Sequence, residues 1–158
     1  MNKLLNLKHA RHPEQTKKMK ELSRKGLCPF CPEQLEKYHN TPIIKKGKFW
    51  TLTFNDYPYD GTEKHFLIIS NRHLTHLKDI SEEAAKELIK INSDLTKKEK
   101  ISGGTFFMRF GDTNLTGATI SHLHAHLIIG EKNRKGEKKE QLRIMAGYKK
   151  SPVKKQGK

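Results

Sequence analysis

Apolar and polar positions alternate most strictly over Ser121–Gly130, where Leu123, Ala125 and Leu127 interleave with His122, His124 and His126 ahead of Ile128 and Ile129. A strand sends successive side chains to opposite faces, so this stretch predicts a strand with an apolar face in a core and three imidazoles sharing the other. Upstream, Phe49–Phe54 is aromatic and β-branched and His65–Ile69 is a continuous apolar run. Both read as strands. Lys46-Gly47-Lys48 turns into the first of them from Ile43-Ile44, and Gly103-Gly104 leads into a further strand at Thr105–Phe110. Between them the period changes. Ala84, Leu88, Ile91 and Leu95 recur at helical spacing behind Ser81 as cap, with Glu82 and Glu83 in the first turn and Lys97, Lys98 and Lys100 at the end. A shorter helix is expected from Pro13 to Arg24, ended by Gly26, and one helical turn at Gln34–His39. Strand, strand, helix, strand, strand with short connections predicts an α+β fold: an antiparallel β-sheet with a covering helix.

Two polar stretches, Asn55–Thr62 and Gly111–Thr119, read as loops, the second feeding directly into the histidine strand. The 158 residues suit one domain. Its expected parts are a basic N-terminal extension (1–25), a catalytic domain (26–135) and a basic, flexible C-terminal tail (136–158). Hydrophobic residues are 34% and charged residues 31%, so the core must be economical. The formal charge of +15, much of it in lysine pairs near the ends, favours anionic partners: free nucleotides, nucleic acid or acidic surfaces. No apolar run approaches the ~18 residues of a membrane span, and the N-terminus lacks the apolar centre and cleavage site of a secretory signal. The expectation is a soluble, cytoplasmic protein with no membrane partner.

Imidazole titrates near neutrality, so three on one face offer a nucleophile, proton carriers or metal ligands. The only two cysteines, Cys28 and Cys31, stand in Leu27-Cys28-Pro29-Phe30-Cys31-Pro32. Without an export signal the pair points to a metal site or a redox pair rather than a structural disulfide. Pro32 directly after Cys31, and the lack of a strand before Cys28, do not suit a thioredoxin-like site. Two thiolates at this spacing can share one tetrahedral zinc with two ligands from elsewhere.

His122-Leu123-His124-Ala125-His126-Leu127-Ile128 resembles the signature of the histidine-triad (HIT) superfamily, and His65-Phe66-Leu67-Ile68-Ile69-Ser70-Asn71-Arg72-His73 resembles the family's upstream strand. With the cysteine turn, the similarity covers roughly Cys28 to Gly130. It implies a HIT-like fold and hydrolysis or transfer at a nucleotide α-phosphate. His124 would be the nucleophile, forming a nucleotidyl-histidine intermediate, while His126 and His65 would complete the catalytic set. Asn55, Asn114, Gly117, Thr119 and His122 would lie at the substrate, with the Asn114–Thr119 loop offering backbone N–H groups to phosphate. Ala118, where many members have Gln, points to the branch resembling diadenosine-tetraphosphate hydrolases and phosphorylases. The resemblance also implies a structural zinc on Cys28, Cys31, His73 and His122, with His39 and His76 as rival ligands, and a possible homodimer. Two other functions fit the charge: the same chemistry on adenylylated or capped nucleic acid ends, or a non-catalytic zinc-stabilised module that binds nucleic acid through its basic termini.

Overall fold

The computed structural model describes residues 4–150. In chain order it contains α1 (Pro13–Arg24), α2 (Pro32–Tyr38), β1 (Ile43–Lys46), β2 (Trp50–Phe54), β3 (Thr62–Ser70), α3 (Glu82–Lys98), β4 (Thr105–Met108), α4 (Thr113–Thr116) and β5 (His124–Gly130). The strands form one antiparallel sheet in the order β1-β2-β3-β5-β4. The expected α+β architecture is therefore the observed one.

Strand alternation divides the sheet into two working faces. On one, Trp50, Leu52, Phe66, Ile68, Ala125, Leu127 and Ile129 pack against Leu88, Ile91 and Leu95 of α3. Ser81 accepts from the Ala84 N–H as the helix cap, and Trp50 Nε1–H donates to the Ala84 carbonyl at 2.7 Å, fixing α3 on β2. On the other face, Leu67 and Ile69 pack with Leu5, Met19, Leu22, Phe30, Leu35 and Ile120. The histidines lie on this second face.

That packing corrects the expectation of a basic extension at 1–25. Gln15, Met19 and Leu22 are buried at helical spacing on α1, and Leu5 bridges to Ile120 next to the histidine strand. Lys17 and Lys20 occupy the outer face of the helix, and the basic character they give it hides an inner stripe that closes one side of the core. Lys18 pairs with Asp56 at 3.1 Å, and that carboxylate also accepts from the Asn40 and Thr41 N–H groups, joining α1 to the β2–β3 loop. The polar loop expected at Gly111–Thr119 contains a turn of helix, α4, because Asp112 caps it through the Asn114 N–H and Gly117, at φ 71°, ends it in the left-handed region. Within the expected tail, Leu142 and Met145 lie against Gly130 and Gly117, and Lys154 and Lys155 fall outside the described residues. Among the described residues no helix is long and apolar enough to cross a membrane.

Candidate active site

β5 pairs with β3 on one side and β4 on the other, and the register sets Leu67 and Phe107 on either side of His126. His65, two residues before Leu67 on β3, comes to the same face and stands diagonal to His126. His124 and His126 are both buried within the strand, 4.9 Å apart between ring centroids. His122 differs from the expectation of three imidazoles in one row. It stands in the bend before β5, and its ring turns towards the cysteine turn rather than the cleft.

Hydrogen bonds fix the tautomers. His124 Nδ1–H donates to the His122 carbonyl at 2.6 Å, which leaves Nε2 with its lone pair and without a protein partner among the described residues. The Tyr59 N–H donates to His65 Nδ1 at 3.2 Å, so the His65 proton sits on Nε2 and is donated to His126 Nδ1 at 2.8 Å. His126 must then carry its own proton on Nε2, and that atom is buried with no hydrogen-bond partner. Burial pushes His124 down to about 4 and His65 to about 3, and holds His126 well below the ordinary imidazole range. Nearby Arg109 acts in the same direction on all three. The histidines are neutral at pH 7.

His124 and His126 open onto a cleft of about 110 Å³ that Asn55, Gly117 and Thr119 also line. Asn55 Oδ1 accepts from the Tyr57 N–H, which directs its amide nitrogen to the His65 ring, 3.4 Å from the acceptor Nδ1. The phosphate-cradle expectation for the loop is modified: the Gly117 N–H is taken by the Thr113 carbonyl and the Ala118 N–H by Thr116 Oγ1. The Thr119 hydroxyl donates to the His9 carbonyl. Asn114 does not reach the cleft lining, since its amide is shared between Asp112 and Asn6 at the surface.

Sequence reading missed the aromatic and cationic frame. Tyr59 stacks on His65 at 5.0 Å, and Phe107 stacks on His126 at 4.6 Å with the planes 11° apart. Arg11 lies over Tyr59, 3.8 Å from the ring centroid, and Arg109 lies 5.0 Å from that of Phe107. Phe107 and Arg109 were findable from the two-residue period of their strand. Arg11 carried no local signal.

Behind the cleft, Cys28, Cys31, His73 and His122 bring one ligand atom each within 4.8 Å of one another, close enough to bind a metal. Cys28 Sγ is 3.4 Å and Cys31 Sγ 3.9 Å from His122 Nδ1, Cys31 Sγ is 3.5 Å from His73 Nδ1, and the two imidazole nitrogens are 3.2 Å apart. His122 Nε2–H donates to the Ser70 carbonyl at 2.8 Å, leaving the Nδ1 lone pair to face the cysteines and His73. The rivals are elsewhere: His39 is bonded to Thr53 and Asp56, and His76 lies against Gly111.

Residues 59–133 match the family model described as the HIT domain. The chain carries a HIT domain. The HIT domain match begins after Arg11, Cys28, Cys31 and Asn55, so the N-terminal side of the cleft and half of the metal-ligand group come from outside it. Solved structures similar to this chain include a hypothetical histidine triad nucleotide-binding protein from Sulfolobus tokodaii strain7, at 20% identity and TM-score 0.54, covering 78% of this chain and 82% of that one. A histidine triad nucleotide-binding protein from Candida albicans follows at 17% identity and TM-score 0.52, covering 69% of this chain and 82% of that one. A histidine triad protein from Clostridium difficile, at 17% identity and TM-score 0.50, covers 65% of this chain and 90% of that one. At these identities the likeness is one of fold. No curated protein matches the chain.

Proposed function

We propose that the chain is a nucleotide hydrolase or nucleotidyl transferase acting at the α-phosphate of a dinucleoside polyphosphate such as diadenosine tetraphosphate, through a covalent nucleotidyl-histidine. The observation that carries this reading is the 2.6 Å bond from His124 Nδ1–H to the His122 carbonyl, which leaves a neutral, unprotonated Nε2 at the cleft. An unprotonated nitrogen held in one orientation is what a nucleophile requires.

In the first step the His124 Nε2 lone pair forms a bond to α-phosphorus while the bond from phosphorus to the bridging oxygen breaks, and that oxygen leaves with the electron pair. His126 Nε2–H has no internal acceptor, so it is available to the phosphoryl or departing oxygen. His65 acts one bond further out, by holding His126 in the tautomer that donates. In the second step water, or orthophosphate in a phosphorylase, attacks the same phosphorus, breaks the N–P bond and returns His124 to its neutral form.

The four-residue Cys and His group supports a structural zinc. A tetrahedron with ordinary Zn–S and Zn–N bonds has S···N edges of about 3.6 Å and N···N edges of about 3.3 Å. The shorter pairs of the group, at 3.4, 3.5 and 3.2 Å, match those edges. Bound there, the ion would have four protein ligands and would tie the cysteine turn to the bend that feeds β5. Its contribution would be to position His124 and not to activate water.

The test is incubation of purified protein with diadenosine tetraphosphate, with and without orthophosphate, beside H124N. AMP and ATP without phosphate identify a hydrolase, and ADP with ATP only in phosphate identifies a phosphorylase. Wild-type turnover by H124N refutes the nucleophile. Cleavage of an adenylylated 5′ end but not of the dinucleotide transfers the chemistry to nucleic acid ends, the substrate that the net charge of +15 would suit.

A further inference from the structure

We propose that Arg11 and Arg109 form a receptor for an anionic leaving group, so that the site selects substrates whose departing part is itself a phosphate chain over those that lose a neutral amine or alcohol. The inference rests on the reading of His124 as nucleophile at α-phosphorus.

The two guanidiniums converge from unrelated parts of the chain. Arg11 comes from the arm before α1 and lies on the face of Tyr59. Arg109 follows β4, donates from Nη1 to the Tyr59 hydroxyl at 3.0 Å, and continues the aromatic stack that runs through Phe107 to His126. Both line the cleft onto which His124 and His126 open.

Two cations held by one tyrosine, Arg11 on its ring and Arg109 on its hydroxyl, repel each other, and among the described residues neither has a carboxylate within ion-pair distance. Their protein partners are neutral oxygens: the Tyr57 carbonyl for Arg11, and the Tyr59 hydroxyl and Met145 carbonyl for Arg109. Arg109 Nε is buried without any partner. A pair with no ion-pair partner and an unfilled donor is suited to phosphate oxygens, which guanidinium binds through paired N–H groups.

The step it would serve is defined. As the N–P bond forms and the bridging P–O bond breaks, the departing polyphosphate gains one negative charge, and two fixed cations stabilise that charge without delivering a proton. A neutral amine or alcohol leaving group needs a proton instead, which the arginines cannot give.

The experiment compares kcat/KM for diadenosine tetraphosphate with that for adenosine 5′-phosphoramidate in wild type, R11A, R11K and R109A, and measures the affinity of each full chain for inorganic tripolyphosphate by calorimetry. Each alanine variant is expected to lower the ratio of the two kcat/KM values by about tenfold and to weaken tripolyphosphate by a similar factor, with R11K, which keeps the charge but loses the paired N–H groups, falling between wild type and R11A. Arg11 is exposed, so R11A reads the charge with the fold intact. Equal losses on both substrates, or tripolyphosphate affinity unchanged in both alanine variants, overturn the proposal. So does a loss confined to phosphate-dependent turnover, which would assign the pair to the attacking orthophosphate. Retained turnover in H124N refutes the nucleophile separately, because tripolyphosphate binding reads the arginines without turnover.

Discussion

His65 donates Nε2–H to His126 Nδ1 across 2.8 Å, and that single bond decides which nitrogen of His126 carries the proton at the cleft. The Tyr59 N–H on the far side of His65 sets the direction of the chain, so backbone geometry in the β2–β3 loop dictates the protonation pattern of a residue on β5. Positioned proton donors are worth about 10²–10⁴-fold in rate. His65→Leu is therefore expected to lower kcat by roughly 10–100-fold, with little change in KM, because it leaves His126 present but free to adopt the wrong tautomer. Steady-state kinetics on a variant whose circular dichroism matches wild type checks this, and an unchanged kcat would remove the relay.

The cysteine and histidine group predicts one zinc per chain. Cys28→Ser is expected to lose the metal, measured by elemental analysis of the purified protein, and to lower Tm by several degrees, since 1 kcal/mol is about 2–4 °C for a domain of this size. His39→Ala should keep the metal, because His39 is bonded to Thr53 and Asp56 instead. Retention of zinc by the cysteine variant, or its loss from the His39 variant, would contradict the ligand set.

Stability should fall in acid before the carboxylates titrate. His65, His124 and His126 are buried neutral, with folded values below the ordinary 6.5 of the unfolded chain, the first two at about 3 and about 4. Above pH 6.5 neither state binds these protons. Below it the unfolded chain takes them up and the folded one does not, so stability declines by up to about 1.4 kcal/mol per pH unit for each histidine until the folded values are reached. Urea unfolding at pH 8, 7.5 and 5 checks the sign: a nearly flat profile between 8 and 7.5 and a decrease at 5.

Leu22→Ala is expected to destabilise the protein by about 2–5 kcal/mol, since Leu22 is fully buried on the inner side of α1. Removing residues 1–25 should for the same reason impair folding and not merely anion binding. Chemical denaturation of the point variant measures the effect, and a loss under about 0.5 kcal/mol would return α1 to the status of a surface appendage.

These outcomes bear on what the sequence made legible. His124 and His126, the strand that holds them and the α3 stripe of Ala84, Leu88, Ile91 and Leu95 follow from periods of two and near four, which are local properties of the chain. The metal group was reached through a family pattern, and its four atoms do meet. The role of α1 was obscured because Lys17, Lys18, Lys20 and Arg24 give the segment a basic, polar character that masks the buried Gln15, Met19 and Leu22, although their spacing was already helical. Arg11 and the loss of Asn114 from the cleft lining were not legible at all, and His122 was assigned both to the cleft and to the metal group, of which the structure shows the second. They depend on where a distant arm crosses Tyr59, and on a bend before β5 that turns one histidine of the alternating row towards the cysteines.

The central step is the covalent bonding of His124 to phosphorus. The most direct measurement is rapid base quench of the full chain during turnover of diadenosine tetraphosphate, followed by intact-mass and peptide mass spectrometry. The expected result is one nucleoside monophosphate per chain, attached at His124, stable in base and labile in acid, and absent from H124N. Turnover with no adduct after the quench, or an adduct on another residue, would contradict it.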